Sequence, residues 1–161
     1  MARPFTCFLF ALLAAALFLV SAKPAHPRTP SRRAVEKAFL EENATKPGII
    51  STGSGLQYEV LREGSGSHFP KWRDTVSIHL KGTLLDGTVF ESTLHRDQPI
   101  STKLSKLIEG CEEAIKLMNV GDRYRFYIPS KLGYGSARQG DIPPYSVLIF
   151  EIELFEIVGK Q

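Results

Sequence analysis

The strongest constraint on this chain is an alternation of apolar and polar residues, interrupted once. Val76, Ile78 and Leu80 alternate with Thr75, Ser77, His79 and Lys81. Successive side chains of a strand point to opposite faces, so such a run half-buries as a β-strand. Arg123–Ile128 repeats the pattern with Tyr124, Phe126 and Ile128 inward. Val147–Ile157 repeats it with Leu148, Phe150, Ile152 and Leu154 on one face and Glu151 and Glu153 on the other. Leu56–Leu61 reads as a further strand, and Thr88–Ser92 as another behind the Asp86-Gly87 hairpin signal. The interruption is Leu107, Ile108, Cys111, Ala114, Ile115 and Met118, which fall at helical spacing, with Gly121 beyond as a stop. One amphipathic helix among antiparallel strands predicts an α+β fold, a curved sheet wrapped around one helix.

What precedes this region is different in kind. Phe5 to Val20 is almost unbroken apolar sequence behind Arg3, and Val20-Ser-Ala22 supplies small residues for cleavage. Residues 1–22 therefore read as a cleaved secretory signal peptide; the alternative is an uncleaved membrane anchor, for which the apolar stretch is short. The expected product is secreted, or lies in a secretory lumen or periplasm, without stable membrane association after cleavage. Cys7 leaves with that segment and Cys111 is then alone, so no internal disulfide can form. Residues 23–47 form a polar arm with six basic and three acidic residues. Ser31 is placed to cap a short helix over Arg32–Glu42, with Val35, Ala38 and Phe39 as its apolar face. Asn43-Ala-Thr45 is a glycosylation sequon. A net charge of +3 over 161 residues, with no basic block longer than Arg32-Arg33, gives no support to nucleic-acid binding.

Few groups suit covalent or metal chemistry. His68, His79 and His95 have no metal-ligand spacing, so no metal site is expected. Cys111 lies on the apolar helix face, as a buried inert thiol would. Glu109, Glu112 and Glu113 read as a solvated helix face. The notable stretch is Tyr134–Tyr145, where Gly135, Gly140, Pro143 and Pro144 shape a loop that carries Tyr134 and Ile142 into the last strand. Phe90, Leu107, Ile108, Tyr134, Ile142 and Phe150 are then either plain core or the lining of a shallow apolar site.

Several segments, in order, bear on that choice. They are Gly82–Thr93 (GTLLDGTVFEST), Leu107–Ala114 (LIEGCEEA), Met118–Arg123 (MNVGDR), Leu132–Gly135 (LGYG) and Ile142–Leu154 (IPPYSVLIFEIEL). The ordered set resembles the FKBP-type peptidyl-prolyl cis-trans isomerases over residues 54–161. Phe39–Gly48 and Ser54–Tyr58 are similar to the macrophage infectivity potentiator branch, with the helix before the domain here short. The resemblance implies a curved five- or six-stranded antiparallel half-barrel around one short α-helix, spanning residues 48–161. It implies a secreted enzyme that accelerates rotation about Xaa-Pro bonds by binding proline in an apolar pocket, with no cofactor and no metal. Phe90 and Phe150 would be walls and Tyr134 a hydroxyl donor, with Glu91 the acidic residue beside the wall, paired to Arg96. Leu107, Ile108 and Cys111 would contact substrate, Ile142 would pack on the rim, and Leu80 would stand beside them. Leu80, Glu91 and Cys111 depart from the family's usual tyrosine, aspartate and tryptophan, and Ile100 from a usual aromatic. The alternative is a binding or chaperone module of the same fold with weak or no turnover. Implied partners are proline-containing polypeptides and macrolide inhibitors, for a chain acting as a monomer.

Overall fold

The computed structural model describes residues 29–96 and 98–159; the signal-peptide reading and Cys7 fall outside them. The elements are α1 (Arg32–Asn43), β1 (Ile50–Ser51), β2 (Gln57–Arg62), β3 (Thr75–Thr83), β4 (Val89–Ser92), β5 (Ile100–Lys103), α2 (Glu109–Lys116), β6 (Arg123–Ile128) and β7 (Leu148–Ile157). One antiparallel sheet runs β1-β2-β6-β7-β3-β4, with β5 also on β3. The α+β expectation holds, with seven strands where five or six were expected. The additions are β1, two residues long, and β5, too short to register as alternation. β3 serves two partners on one edge, β5 along Thr75–Ile78 and β4 along Lys81–Thr83. Its ladders shift register between Gly82 and Thr83 and between Ser77 and Ile78, as bulges that bend a sheet do.

The concave face holds the core. Val76, Ile78, Phe126, Ile128, Ile152 and Leu154 meet Ala114, Ile115 and Met118, all fully buried. α2 reaches β6 closely because residue 110 is glycine: a Cβ there would collide with the Ile128 side chain. Glu109 and Glu112 in the first turn and Lys116 in the last complement the helix dipole.

The helix face differs from its expected extent. α2 starts at Glu109, with Ile108 as its extended N-cap and Leu107 before it. Gly121 (φ +91) belongs to a tight turn after the helix, which ends at Lys116 with Leu117 as its C-cap. The buried Asp122 carboxylate closes that turn by accepting from the Asn119 and Gly64 amides at 2.7 and 2.6 Å. Glu113 is no solvated bystander, since the Thr52 and Ser54 hydroxyls donate to it at 2.8 Å each. On the outer face Arg125 reaches Glu151 at 2.6 Å and Glu59 at 2.7 Å. Burial opposes ionisation of Glu151, but Arg125 and Arg123 outweigh it and hold its carboxyl below the usual range.

α1 is capped by Ser31 as expected, its hydroxyl accepting from the Ala34 amide at 3.2 Å. Its inward line is Glu36, Phe39, Leu40 and Asn43, whereas Val35 and Ala38 are exposed. The expected apolar face is thus rotated, because the anchors are polar. Asn43 is 2% exposed and donates its side-chain amide to Gln57 at 3.0 Å. Gln57 donates in turn to the Leu40 carbonyl at 2.8 Å. The sequon nitrogen is therefore occupied and buried, and no glycan fits there in the folded chain.

Candidate functional site

The apolar residues singled out from the sequence converge where β4, β7, the start of α2 and the β6–β7 connection meet. Phe90 on β4 and Phe150 on β7 meet edge to face, ring centroids 5.4 Å apart at 87°, the arrangement favoured by aromatic quadrupoles. Between them in the ladder lies Gly82 of β3, paired with Glu91 on one side and Phe150 on the other. An added Cβ at Gly82 would sit 2.6 Å from the Phe90 ring and 2.8 Å from the Phe150 ring. The two rings stand as they do because that position carries no side chain. Gly82 opens the GTLLDGTVFEST segment, but nothing in its local sequence announces this packing role.

Phe150, Leu80, Cys111 and Ile142 are buried within the core cluster, and Phe90, Leu107, Ile108 and Tyr134 pack against it while half-exposed. Eight of the nine residues read from the sequence as site candidates thus belong to one apolar assembly, four of them buried and four half-exposed. Ile142 is deeper than the expected rim position, at 5% exposure. Glu91 stands apart: it follows Phe90 on β4, alternates to the other face and is exposed. The expected Glu91–Arg96 ion pair is not formed among the described residues. The Arg96 amide instead donates to the Thr93 carbonyl at 3.0 Å. Thr93 is buried and bound to β3, its amide donating to the Leu80 carbonyl at 2.9 Å and its hydroxyl accepting from the Leu80 amide at 2.9 Å. That lock ends β4 and turns the chain with Arg96 exposed.

Two donors remain unspent. Neither the Tyr134 hydroxyl nor the Ile108 N–H donates to an acceptor among the described residues. Burial raises the Tyr134 phenol above its ordinary range, and Cys111 and Glu91 add to the effect, so the hydroxyl keeps its proton at neutral pH. Burial pushes the Cys111 thiol up to about 12. Buried and protonated at neutral pH, it packs as an apolar group of the cluster.

The connection from β6 to β7 is a folded loop. The Gly133 and Gly135 amides both donate to the Ser130 carbonyl, at 2.9 and 2.8 Å. Gln139 and Ile142 exchange bonds at 3.0 and 2.9 Å, and the Tyr145 amide donates to the Gly135 carbonyl at 2.8 Å. Gly135 and Gly140 take φ of +59 and +54, and Tyr145, a side chain that resists it, takes +56. A cavity of about 510 Å³ lies elsewhere, between α1 and residues 129–136. It is rimmed by Arg33, Glu36, Lys37 and Glu41 and does not include Phe90 or Phe150.

A family model described as FKBP-type peptidyl-prolyl cis-trans isomerase matches residues 66–155, and one described as the domain amino-terminal to it matches residues 21–60. The Escherichia coli (strain K12) FKBP-type 22 kDa peptidyl-prolyl cis-trans isomerase is 46% identical over 121 residues, 74% of this chain and 58% of that protein. The Trypanosoma cruzi macrophage infectivity potentiator is 40% identical over 127 residues, 78% of this chain and 65% of that protein. This chain thus spans less than two thirds of the length of these relatives. Among solved structures, a Pseudomonas syringae peptidyl-prolyl cis-trans isomerase superposes with a TM-score of 0.73 at 30% identity, covering 80% of this chain and 98% of that one. With the sheet, the core helix and these matches together, this chain belongs to the family of FKBP-type peptidyl-prolyl cis-trans isomerases, in its macrophage infectivity potentiator-like branch.

Proposed function

We propose that the protein accelerates cis–trans rotation about Xaa-Pro peptide bonds by taking the proline ring between Phe90 and Phe150. The observation that carries this reading is the edge-to-face aromatic pair over a side-chain-free Gly82, with two unspent donors on Ile108 and Tyr134, which pack against the same cluster. The imide resists rotation by ~18–20 kcal/mol because resonance holds it planar. The planar form is more dipolar than the twisted one. An apolar floor of Leu80, Cys111 and Phe150 replaces water around it and favours the less dipolar, twisted state. The Ile108 N–H and the Tyr134 hydroxyl would donate to substrate carbonyls and fix the peptide while its bond turns. Interactions stronger in the twisted state than in the planar one raise the rate, about tenfold for each ~1.4 kcal/mol. Leu107 and Ile142 shape the approach. Glu91, exposed and unpaired with Arg96, would act on the cleft only through its charge near Tyr134.

On this reading residues 1–22 are removed on export, residues 23–47 form the arm and residues 48–161 the isomerase domain. The mature chain works as a monomer on proline-containing polypeptides outside the cytoplasm, and macrolides that occupy a proline cleft compete with them. One observation supports the monomer: the inward face of α1 is spent on the chain's own domain, leaving Lys37 and Glu41 outward as a 3.7 Å pair.

Tyr134→Phe tests the assignment with shape nearly kept. Losing one substrate hydrogen bond of ~0.5–1.5 kcal/mol should lower kcat/KM roughly threefold to tenfold. The unfolding temperature should stay put, because the hydroxyl has no partner among the described residues. Wild-type turnover in this variant, beside an active wild type, would take Tyr134 out of the site.

A further inference from the structure

We infer that Glu36 and Arg33 of α1 are positioning residues for the cleft, so that the arm helix is a working part of the site rather than a tether. The inference rests on the isomerase reading above. Glu36, half-buried, sets both carboxylate oxygens on one residue of the β6–β7 loop. It accepts from the Ser130 amide at 2.6 Å and from the Ser130 hydroxyl at 3.0 Å, across 94 positions of sequence. Ser130 is itself 6% exposed. Hydrogen bonds to an ionised acceptor are short and strong, and this pair fixes Ser130 in both orientation and position. The Ser130 carbonyl then receives the amides of Gly133 and Gly135, the residues on either side of Tyr134. Orientation is handed from Glu36 through Ser130 to the backbone that carries Tyr134.

Arg33, one turn before Glu36, holds the other end of the same loop. Its guanidinium lies over the Tyr145 ring, 4.9 Å from the centroid. Tyr145 is the non-glycine residue in the left-handed region, a conformation that persists where its surroundings hold it. Its amide donates to the Gly135 carbonyl, so Gly135 is fixed from both ends by contacts that trace back to α1. The helix can do this because it is anchored away from the loop. Gln57 on β2 bonds Leu40 and Asn43, and Phe39 packs on Tyr127 of β6 with ring centroids 5.9 Å apart. A strut fixed to the sheet at Leu40–Asn43 reaches the loop with Arg33 and Glu36.

The test uses the full mature chain and three variants: Glu36→Ala, Glu36→Gln and Arg33→Ala. Each is measured for kcat/KM on an Xaa-Pro peptide, for unfolding temperature, and for hydrogen exchange at the Gly133 and Gly135 amides. Assays run well below the unfolding transition, so that every variant is fully folded. Glu36→Ala should lower kcat/KM roughly threefold to tenfold and speed exchange at both amides. Glu36→Gln keeps an oxygen to accept from the Ser130 amide, and should recover most of the turnover and protection. Arg33→Ala is an exposed change that should fold whatever Glu36→Ala does. It should act in the same direction by about twofold, in keeping with an exposed cation–π contact. Wild-type turnover and exchange in Glu36→Ala would overturn the inference. So would a turnover loss with exchange at Gly133 and Gly135 unchanged, since the loop would then not be what moved. If the wild type itself shows no turnover, the functional reading fails. The exchange data alone then decide whether Glu36 holds the loop: faster exchange in Glu36→Ala upholds that, and unchanged exchange overturns it.

Discussion

Phe150→Ala is expected to lower folding stability by ~3–5 kcal/mol and to abolish most turnover. Phe150 is 6% exposed, sits opposite Phe126 across the β6–β7 ladder and carries the Phe90 ring edge to face. Truncation leaves a cavity between two sheet neighbours that cannot close it, because β7 is held on both sides by β3 and β6. Phe90 then loses its partner and the cleft loses one wall. Denaturant unfolding should show a lower midpoint with an unchanged slope. Turnover measured on the folded fraction should still be severely reduced. A stability loss below ~1 kcal/mol would mean that the site had collapsed to fill the space, at odds with close packing there.

Gly82→Ala should produce the converse pattern, a modest loss of stability and a large loss of activity. One methyl at this position falls within contact-forbidding distance of both aromatic walls, and both rings must shift to admit it. Overpacking of this kind costs about 1–3 kcal/mol. Misplacing groups that grip the substrate costs roughly tenfold to a hundredfold in kcat/KM. Gly82 has no positive φ to lose, so the effect would come from the Cβ alone. Serine, of similar bulk at Cβ, should behave like alanine. Wild-type kcat/KM in both variants would show that proline does not bind between Phe90 and Phe150.

Strand alternation in Thr75–Thr83, Arg123–Ile128 and Leu148–Ile157 made most of the sheet legible, because each long strand has one face on the core and one on solvent. β1 and β5 were not legible: two and four residues contain too little of a two-residue period to detect. The orientation of α1 was misread for a different reason. Its inward positions include Glu36 and Asn43, polar residues satisfied by Ser130 and Gln57, and hydrophobic periodicity cannot see a helix docked by hydrogen bonds. Phe90, Tyr134 and Phe150 were singled out from the apolar pattern, but only the resemblance gave them site roles in place of plain core. Their apolar spacing is that of ordinary core, and they do join the core cluster. Gly82 and Ser130 escaped because their importance lies in what packs beside them, which sequence spacing does not encode.

The central claim is that the cleft turns the bond and does not merely hold the peptide. It is tested by exchange NMR on an Xaa-Pro peptide with a small fraction of an equivalent of the protein present. Uncatalysed rotation takes tens to hundreds of seconds, so without catalysis the cis and trans signals show no exchange on the measuring timescale. The account predicts exchange cross-peaks between cis and trans that grow in proportion to protein concentration. They should fade with Gly82→Ala and with a competing macrolide. Shifted peptide signals without any acceleration of cis–trans exchange would contradict it and leave a module that binds proline-containing segments without isomerising them.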